Sequence, residues 1–152
     1  MKGAVGSPAP HHVEPKLFLL ENGVLILSSG RAGCYVWTLP LASLRPGMEG
    51  EARWVGFNLL AAHNTAVTAG NLPTSWSYHA SCVESKGHSP PCSTYYTSMT
   101  VLPVSEAERE EGVASVVVAY DRTPNGWNPP IKGQQPSWGD LLFSLKLNVR
   151  AS

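Results

Sequence analysis

The sequence predicts an all-β fold, a single β-sandwich or barrel of short strands with little helix. Three observations predict it. The 14 Gly and 13 Pro residues are scattered along the chain as punctuation rather than gathered into linkers. Between them lie short runs rich in β-branched and aromatic residues, several of them alternating with period two. The length, 152 residues, suits one domain whose core buries about 70% of the unfolded chain's surface.

Residues 1–15, with Pro8, Pro10 and Pro15 and the pair His11 and His12, read as a flexible arm or an extended lead-in, and residues 16–152 as the single domain. The first strands are Leu17 to Leu20 and Val24 to Ser28. Glu21-Asn22-Gly23 joins them, and Asn-Gly suits a type I′ turn because both residues tolerate positive φ. Cys34 to Leu39 alternates as a sandwich strand closed by Pro40. Arg53 to Ala62 reads as another strand, entered through a polar turn around Gly47. Thr68 to Ser93 is too long for an ordinary connection and reads as a functional or interfacial loop. Thr94 to Val104 is strand-like. Ser105 is placed to cap a short acidic helical turn that Gly112 ends.

Val113 to Tyr120 is the clearest buried strand: Val116, Val117, Val118 and Ala119 are contiguous, so both faces meet protein and the strand is central. A turn-dense loop follows from Arg122. Ser137 to Ser144 reads as a short helix and Leu145 to Val149 as a final alternating strand.

Charge and composition narrow the function. Eleven Lys plus Arg balance 11 Asp plus Glu, so the formal net charge is zero, which argues against a free-standing nucleic-acid reader. Charged residues are 14% of the chain and hydrophobic ones 43%. A neutral surface of that kind favours association, because little repulsion keeps copies apart. No apolar run approaches the roughly 20 residues of a membrane span. An apolar secretory core is not expected near the start. Cys82 and Cys92 flank a Gly/Ser/Pro segment; a disulfide is open to them, and so are two reduced thiols, the state a reducing compartment favours.

Catalytic and metal-binding signals are weak. His79, Cys82, His88 and Cys92 crowd one loop without zinc-ligand spacing, so no metal or other cofactor is expected. Cys34 and His63 can be drawn as nucleophile and base, but Cys34 sits in an apolar strand pattern that suits a core residue better. No nucleophile elbow or phosphate loop is present, and the expectation is a protein that is not an enzyme. Trp76, Tyr78, Trp127 and Trp138 fall in predicted loops, where large aromatics anchor subunit interfaces or cap the domain's own core.

Two segments carry a resemblance. Pro40-Leu41-Ala42-Ser43-Leu44-Arg45-Pro46-Gly47, followed by Arg53-Trp54-Val55-Gly56-Phe57-Asn58-Leu59, is similar to the first core strands of single jelly-roll capsid proteins, especially of small viruses with circular single-stranded DNA. Val116 to Gly126, with Asp121, Arg122, Asn125 and Gly126 in order, resembles that family's aliphatic strand ending in Asp-Arg-x-x-Asn-Gly. The prolines and acidic segment expected next are Pro129-Pro130 and Ser137 to Leu142.

The resemblance implies a jelly-roll sandwich with a structural role: copies assemble through loops and strand edges into a small icosahedral shell around a genome. The motif residues Gly47, Arg53, Gly56, Asp121, Arg122, Asn125 and Gly126 would shape turns rather than catalyse. It also implies a virion protein made in the host cytoplasm, with the nucleus open to it during assembly. The basic signal for packaged nucleic acid is weak, with only Lys2 and Lys16 in the first sixteen residues. The alternative reading, from another class, is a β-sandwich binding module that recognises a protein or glycan through the 68–93 loop.

Overall fold

In a computed structural model the described residues are 4–6, 15–29, 34–44, 47, 52–78, 97–122 and 141–151. They form two antiparallel sheets. The first has the order β1-β5-β4-β3-β2, built from Ala4–Gly6 (β1), Lys16–Leu19 (β2), Val24–Ser29 (β3), Tyr35–Pro40 (β4) and Trp54–Asn58 (β5). The second has the order β6-β7-β8, built from Thr97–Val101, Val113–Arg122 and Leu141–Arg150. Two α-helices, α1 over Leu59–Thr68 and the short α2 over Glu106–Glu110, and two single 3-10 turns, Leu41–Ser43 and Thr74–Trp76, complete the described elements. The fold is therefore mostly β, as the punctuation and alternation predict.

Register explains the core. Phe18, Ile26 and Thr38 are paired across β2, β3 and β4, and Val36 is paired with Phe57, so these side chains share one face of the first sheet. On the second sheet Met99, Val118 and Leu145 lie in line, as do Val101, Val116 and Leu147. Leu20, Val24, Ile26 and Val36 from one sheet and Met99, Val116, Val118 and Tyr120 from the other belong to a single buried cluster. Each such aliphatic residue withdrawn from water contributes about 1.5–3 kcal/mol before conformational entropy is counted.

The hairpin between β2 and β3 forms as the spacing predicts, with a different turn. The Gly23 amide donates to the Leu20 carbonyl (2.9 Å) and the Leu20 amide to the Val24 carbonyl (2.9 Å). Gly23 has φ +79° while Asn22 stays at negative φ. This is a type I turn followed by a glycine bulge, not the type I′ turn expected. The reason is tertiary: the Asn22 side chain donates from Nδ2 to the Gly112 and Val149 carbonyls at 3.0 and 2.9 Å, pinning the hairpin tip to β8 and to the residue before β7.

Four further expectations are corrected. The strand expected over Arg53 to Ala62 stops at Asn58, whose side chain accepts from the Ala61 amide (3.0 Å) and caps α1. Leu59, Leu60, His63 and Val67 form the buried stripe of that helix, a spacing of 3.6 rather than 2. It ends in a Schellman motif, with Gly70 at φ +78° and amides of Gly70 and Asn71 returning to Val67 and Ala66. The helix expected over Ser137 to Ser144 is overruled where it is described: Leu141 to Ser144 open β8, whose alternation runs unbroken to Arg150. Residues Ala4–Gly6, in the segment read as a flexible arm or an extended lead-in, form β1 and pair with Trp54 to Gly56, which overrules the flexible reading for those three residues. Cys34 is buried but stands before β4 at φ +47°, outside the strand expected to include it.

Gly56 is fixed by contact rather than by φ. A β-carbon there would lie 2.7 Å from Cζ3 and 2.9 Å from Cε3 of Trp37, its partner across the ladder. That indole is stacked on Tyr35 with ring centroids 5.2 Å apart, so it cannot retreat freely. Gly56→Ala is expected to lower unfolding stability by about 1–3 kcal/mol. Equilibrium urea denaturation measures it, and the Gly56→Ala/Trp37→Leu double variant should recover part of the loss through the shared contact.

Ser105 and Glu108 form a capping box on α2. The Glu108 amide donates to Ser105 Oγ (3.2 Å), and the Ser105 amide donates to Glu108 Oε2 (2.9 Å). Gly112 ends the segment at φ +66°. The Ser105 amide and hydroxyl, then Lys146 and Ser115, hold the Glu108 carboxyl below its ordinary 4.5. Because the folded value is depressed, the stability it carries is present above 4.5 and is lost as pH falls through the lower folded value. Urea midpoints of wild type and Glu108→Gln should therefore differ at neutral pH and converge in acid. Ser105→Ala should cost about 1 kcal/mol.

Candidate functional site

Two arrangements of side chains stand out, one where α1 meets the second sheet and one on the outward strand faces. The inner one starts on α1. His63 projects from its buried stripe and is 2% exposed. Its Nε2 lies 3.1 Å from the Trp76 carbonyl, which can only accept, so Nε2 carries the proton in the neutral ring. Nδ1 then accepts from the Tyr120 hydroxyl at 3.0 Å. Tyr78, Tyr120 and Phe143 surround the imidazole, with centroids 4.8, 5.9 and 4.6 Å away.

Three more bonds fasten the segment that follows α1. Asn64 receives the Tyr78 amide on Oδ1 (2.8 Å) and donates from Nδ2 to the Tyr78 carbonyl (2.9 Å). The Tyr78 hydroxyl reaches the Asp121 carbonyl at 3.2 Å. Burial first, and then the nearby Cys34 thiol, pushes the Tyr120 phenol from 10.0 up to about 12. The cluster thus locks α1 and residues 74–78 onto β7 and β8 through hydrogen bonds and ring contacts. Among the described residues no group of three His, Cys, Asp or Glu is arranged to hold a metal ion.

The outer arrangement follows from register. Leu17 pairs with Leu27, Leu19 with Leu25 and Leu25 with Leu39, so five leucines share the face of the first sheet opposite Ile26 and Val36; Leu39 on that face is buried, and exposure rises toward β2. Leu17 and Leu19 are each 59% exposed, on the outermost strand. On the outer face of the second sheet Leu142, paired with Asp121, is 76% exposed. Large apolar side chains held outward on strands form a rigid surface, unlike single exposed residues on a loop.

Of the sequence-predicted residues, Gly47 sits in an exposed turn at φ +80° and Arg53 is exposed just before β5. Asp121 and Arg122 end β7, opposite Leu142 and Leu141. Trp76 is half-buried and packs edge-on against Phe143 at 5.5 Å. Tyr78, expected at a subunit interface, is 4% exposed and belongs to the core, because its hydroxyl has an internal acceptor. Asn125, Gly126, Trp127, Trp138, Cys82, Cys92, His79 and His88 lie outside the described residues. Cys34 and His63 are both deep in the core, as the apolar context of Cys34 suggests. Sequence reasoning missed the His63–Tyr120 bond and the exposed pair on β2. The helical stripe Leu59, Leu60, His63 and Val67 was the available signal for the first. Strand order, needed for the second, has no local signature.

Comparison with known proteins finds no matching family model, no matching curated protein and no matching solved structure. Among the described residues no helix is long and apolar enough to cross a membrane.

Tyr120→Phe removes the proton that His63 Nδ1 accepts and should cost about 1–3 kcal/mol near neutral pH. Since the folded phenol has a raised value, its contribution is present in full below 10.0 and is lost as pH climbs to about 12. An alkaline series of denaturation midpoints should show that slope in wild type and a flatter one in Tyr120→Phe.

Proposed function

We propose that this chain is a structural β-sandwich of the viral coat type, whose work is to associate with copies of itself into a closed shell. The observation that carries the reading is the placement of the exposed leucines. Leu17, Leu19 and Leu142 stand on the outward faces of strands, on a chain of zero net charge. Water contact with such a surface is unfavourable, and no accumulated charge opposes burying it against another copy.

The motif residues support the same reading. Gly56 lies flat beneath Trp37, and β7 runs as a central strand to Asp121-Arg122, where the coat-like pattern has its polar stop. A jelly roll distributes its strands over two sheets as two Greek keys. Here β2 to β5 run consecutively in one sheet, with β1 returning beside β5, and β6 to β8 run consecutively in the other. The coat reading accordingly rests on the sandwich and its surface, and the jelly-roll resemblance on the motif residues.

Light scattering behind size-exclusion chromatography, followed by negative-stain imaging, tests this reading. The expected outcome is a native mass many times the 16.3 kDa chain, with closed particles in the images. A monomer at every concentration would refute it. Binding of single-stranded DNA at about 50 and about 200 mM salt examines packaging: steep weakening marks phosphate contacts, and unchanged affinity assigns them no role.

A further inference from the structure

We propose that β2 is a self-pairing edge: two copies join antiparallel along Lys16–Leu19, about a two-fold axis at Phe18, fusing their five-stranded sheets into one. The proposal rests on the self-association reading above and names the contact.

The phase of the β2–β3 ladder sets the geometry. The bond from the Leu20 amide to the Val24 carbonyl makes that pair a hydrogen-bonded one, and antiparallel ladders alternate. Phe18 therefore turns its peptide groups toward Ile26, while Leu17 and Leu19 turn theirs outward from the sheet. β2 is the terminal strand of its sheet, so those outward groups meet no partner strand among the described residues. An edge bearing free amides and carbonyls is a template for another strand.

Two outward-facing residues flanking one inward-facing residue make the strand complementary to itself. When antiparallel copies align Leu17 with the other copy's Leu19, each aligned pair exchanges both main-chain bonds. The same register sets Phe18 opposite its own equivalent on the inner face. Partners in an antiparallel pair share a face. The run Leu27, Leu17 therefore continues into the Leu19 and Leu25 of the second copy, burying side chains that are 59% exposed in one chain alone.

Charge favours the same occupant. Lys16 is the only charged residue of β2. In this register the two Lys16 residues lie about 13 Å apart along the strands, at about 3.3 Å per residue, so neither faces the other. Strands that must stay single usually place a charge or proline within the edge. Here Lys16 stands at its head, outside the three residues, Leu17, Phe18 and Leu19, that this register pairs within the strand. Since each copy's edge is used once, the contact closes as a pair rather than growing into a fibre.

The test uses the full chain in sedimentation velocity, with Leu17→Lys/Leu19→Lys, with Leu17→Glu/Leu19→Glu, and with their equimolar mixture. Each variant alone should weaken pairing by about a hundredfold, because like charges meet across the axis. The mixture should restore it, because Lys then faces Glu. Far-ultraviolet circular dichroism should be unchanged, since both side chains point to solvent. Leu19→Pro removes an amide proton directed away from β3 and should also abolish pairing while the fold persists. If wild type assembles and the variants assemble equally well, the self-association reading stands and this contact is overturned. Variants that dissociate but are not rescued by mixing overturn the antiparallel register. A wild-type chain that is monomeric at every soluble concentration overturns both.

Discussion

Burial of two inward-facing sheet surfaces against each other is the constraint on which the rest of this molecule depends. Ile26, Val116 and Val118 are wholly removed from water where the sheets meet, and Leu20, Val24 and Val36 surround them. A sheet with one apolar face has no stable alternative to covering it. The tip of the β2–β3 hairpin is held by Asn22 on the carbonyls of Gly112 and Val149, and Arg109 of α2 reaches Glu21 beside it at 3.2 Å. That ion pair is exposed and contributes little; the Asn22 bonds, partly buried and made to backbone, fix where the hairpin tip sits against β8.

Helix α1 closes the region where β5 leaves the sheet. Leu59 and Leu60 enter the core directly after the Asn58 cap, and the Leu59 amide returns to the Cys34 carbonyl at 3.0 Å. The His63–Tyr120 bond then crosses from helix to sheet. In a low-dielectric interior such a bond is directional, so it selects one docking of α1 where apolar contacts alone would accept several. The raised phenol value of Tyr120 comes chiefly from that same burial. Packing and polar geometry here enforce one another, and Asn64 extends the effect to residues 74–78.

The outward surface follows a different logic. Lys146, Asn148 and Arg150 are exposed along β8, the usual treatment of a strand open to water. Strand β2 has the reverse pattern, with leucines where β8 carries polar groups. The two sheets are thus unlike in their readiness to meet another chain. In a neutral protein of low charge density that difference directs association toward the first sheet.

Much of this was legible locally. The Glu21-Asn22-Gly23 hairpin, the Ser105 cap, the Gly112 stop and the central valine strand each rest on residues within a few positions of one another, where backbone preference decides. Helix α1 was not legible as a strand or a helix from Leu59-Leu60-Ala61-Ala62, because a short apolar run fits either period until its partners are known. β8 begins earlier than its sequence suggests because Tyr120, Asp121 and Arg122 offer ladder positions to Leu141, Leu142 and Phe143. The sequence by itself determined the β class, the turns and caps, and which residues are apolar, since these depend on each residue's own chemistry and near neighbours. Only the tertiary structure decided that Ala4–Gly6 is a strand, that His63 meets Tyr120, and that Leu17 and Leu19 lie on the terminal strand of their sheet among the described residues. Each of these depends on a partner far away in the chain, and pairing at that distance leaves no local pattern to read.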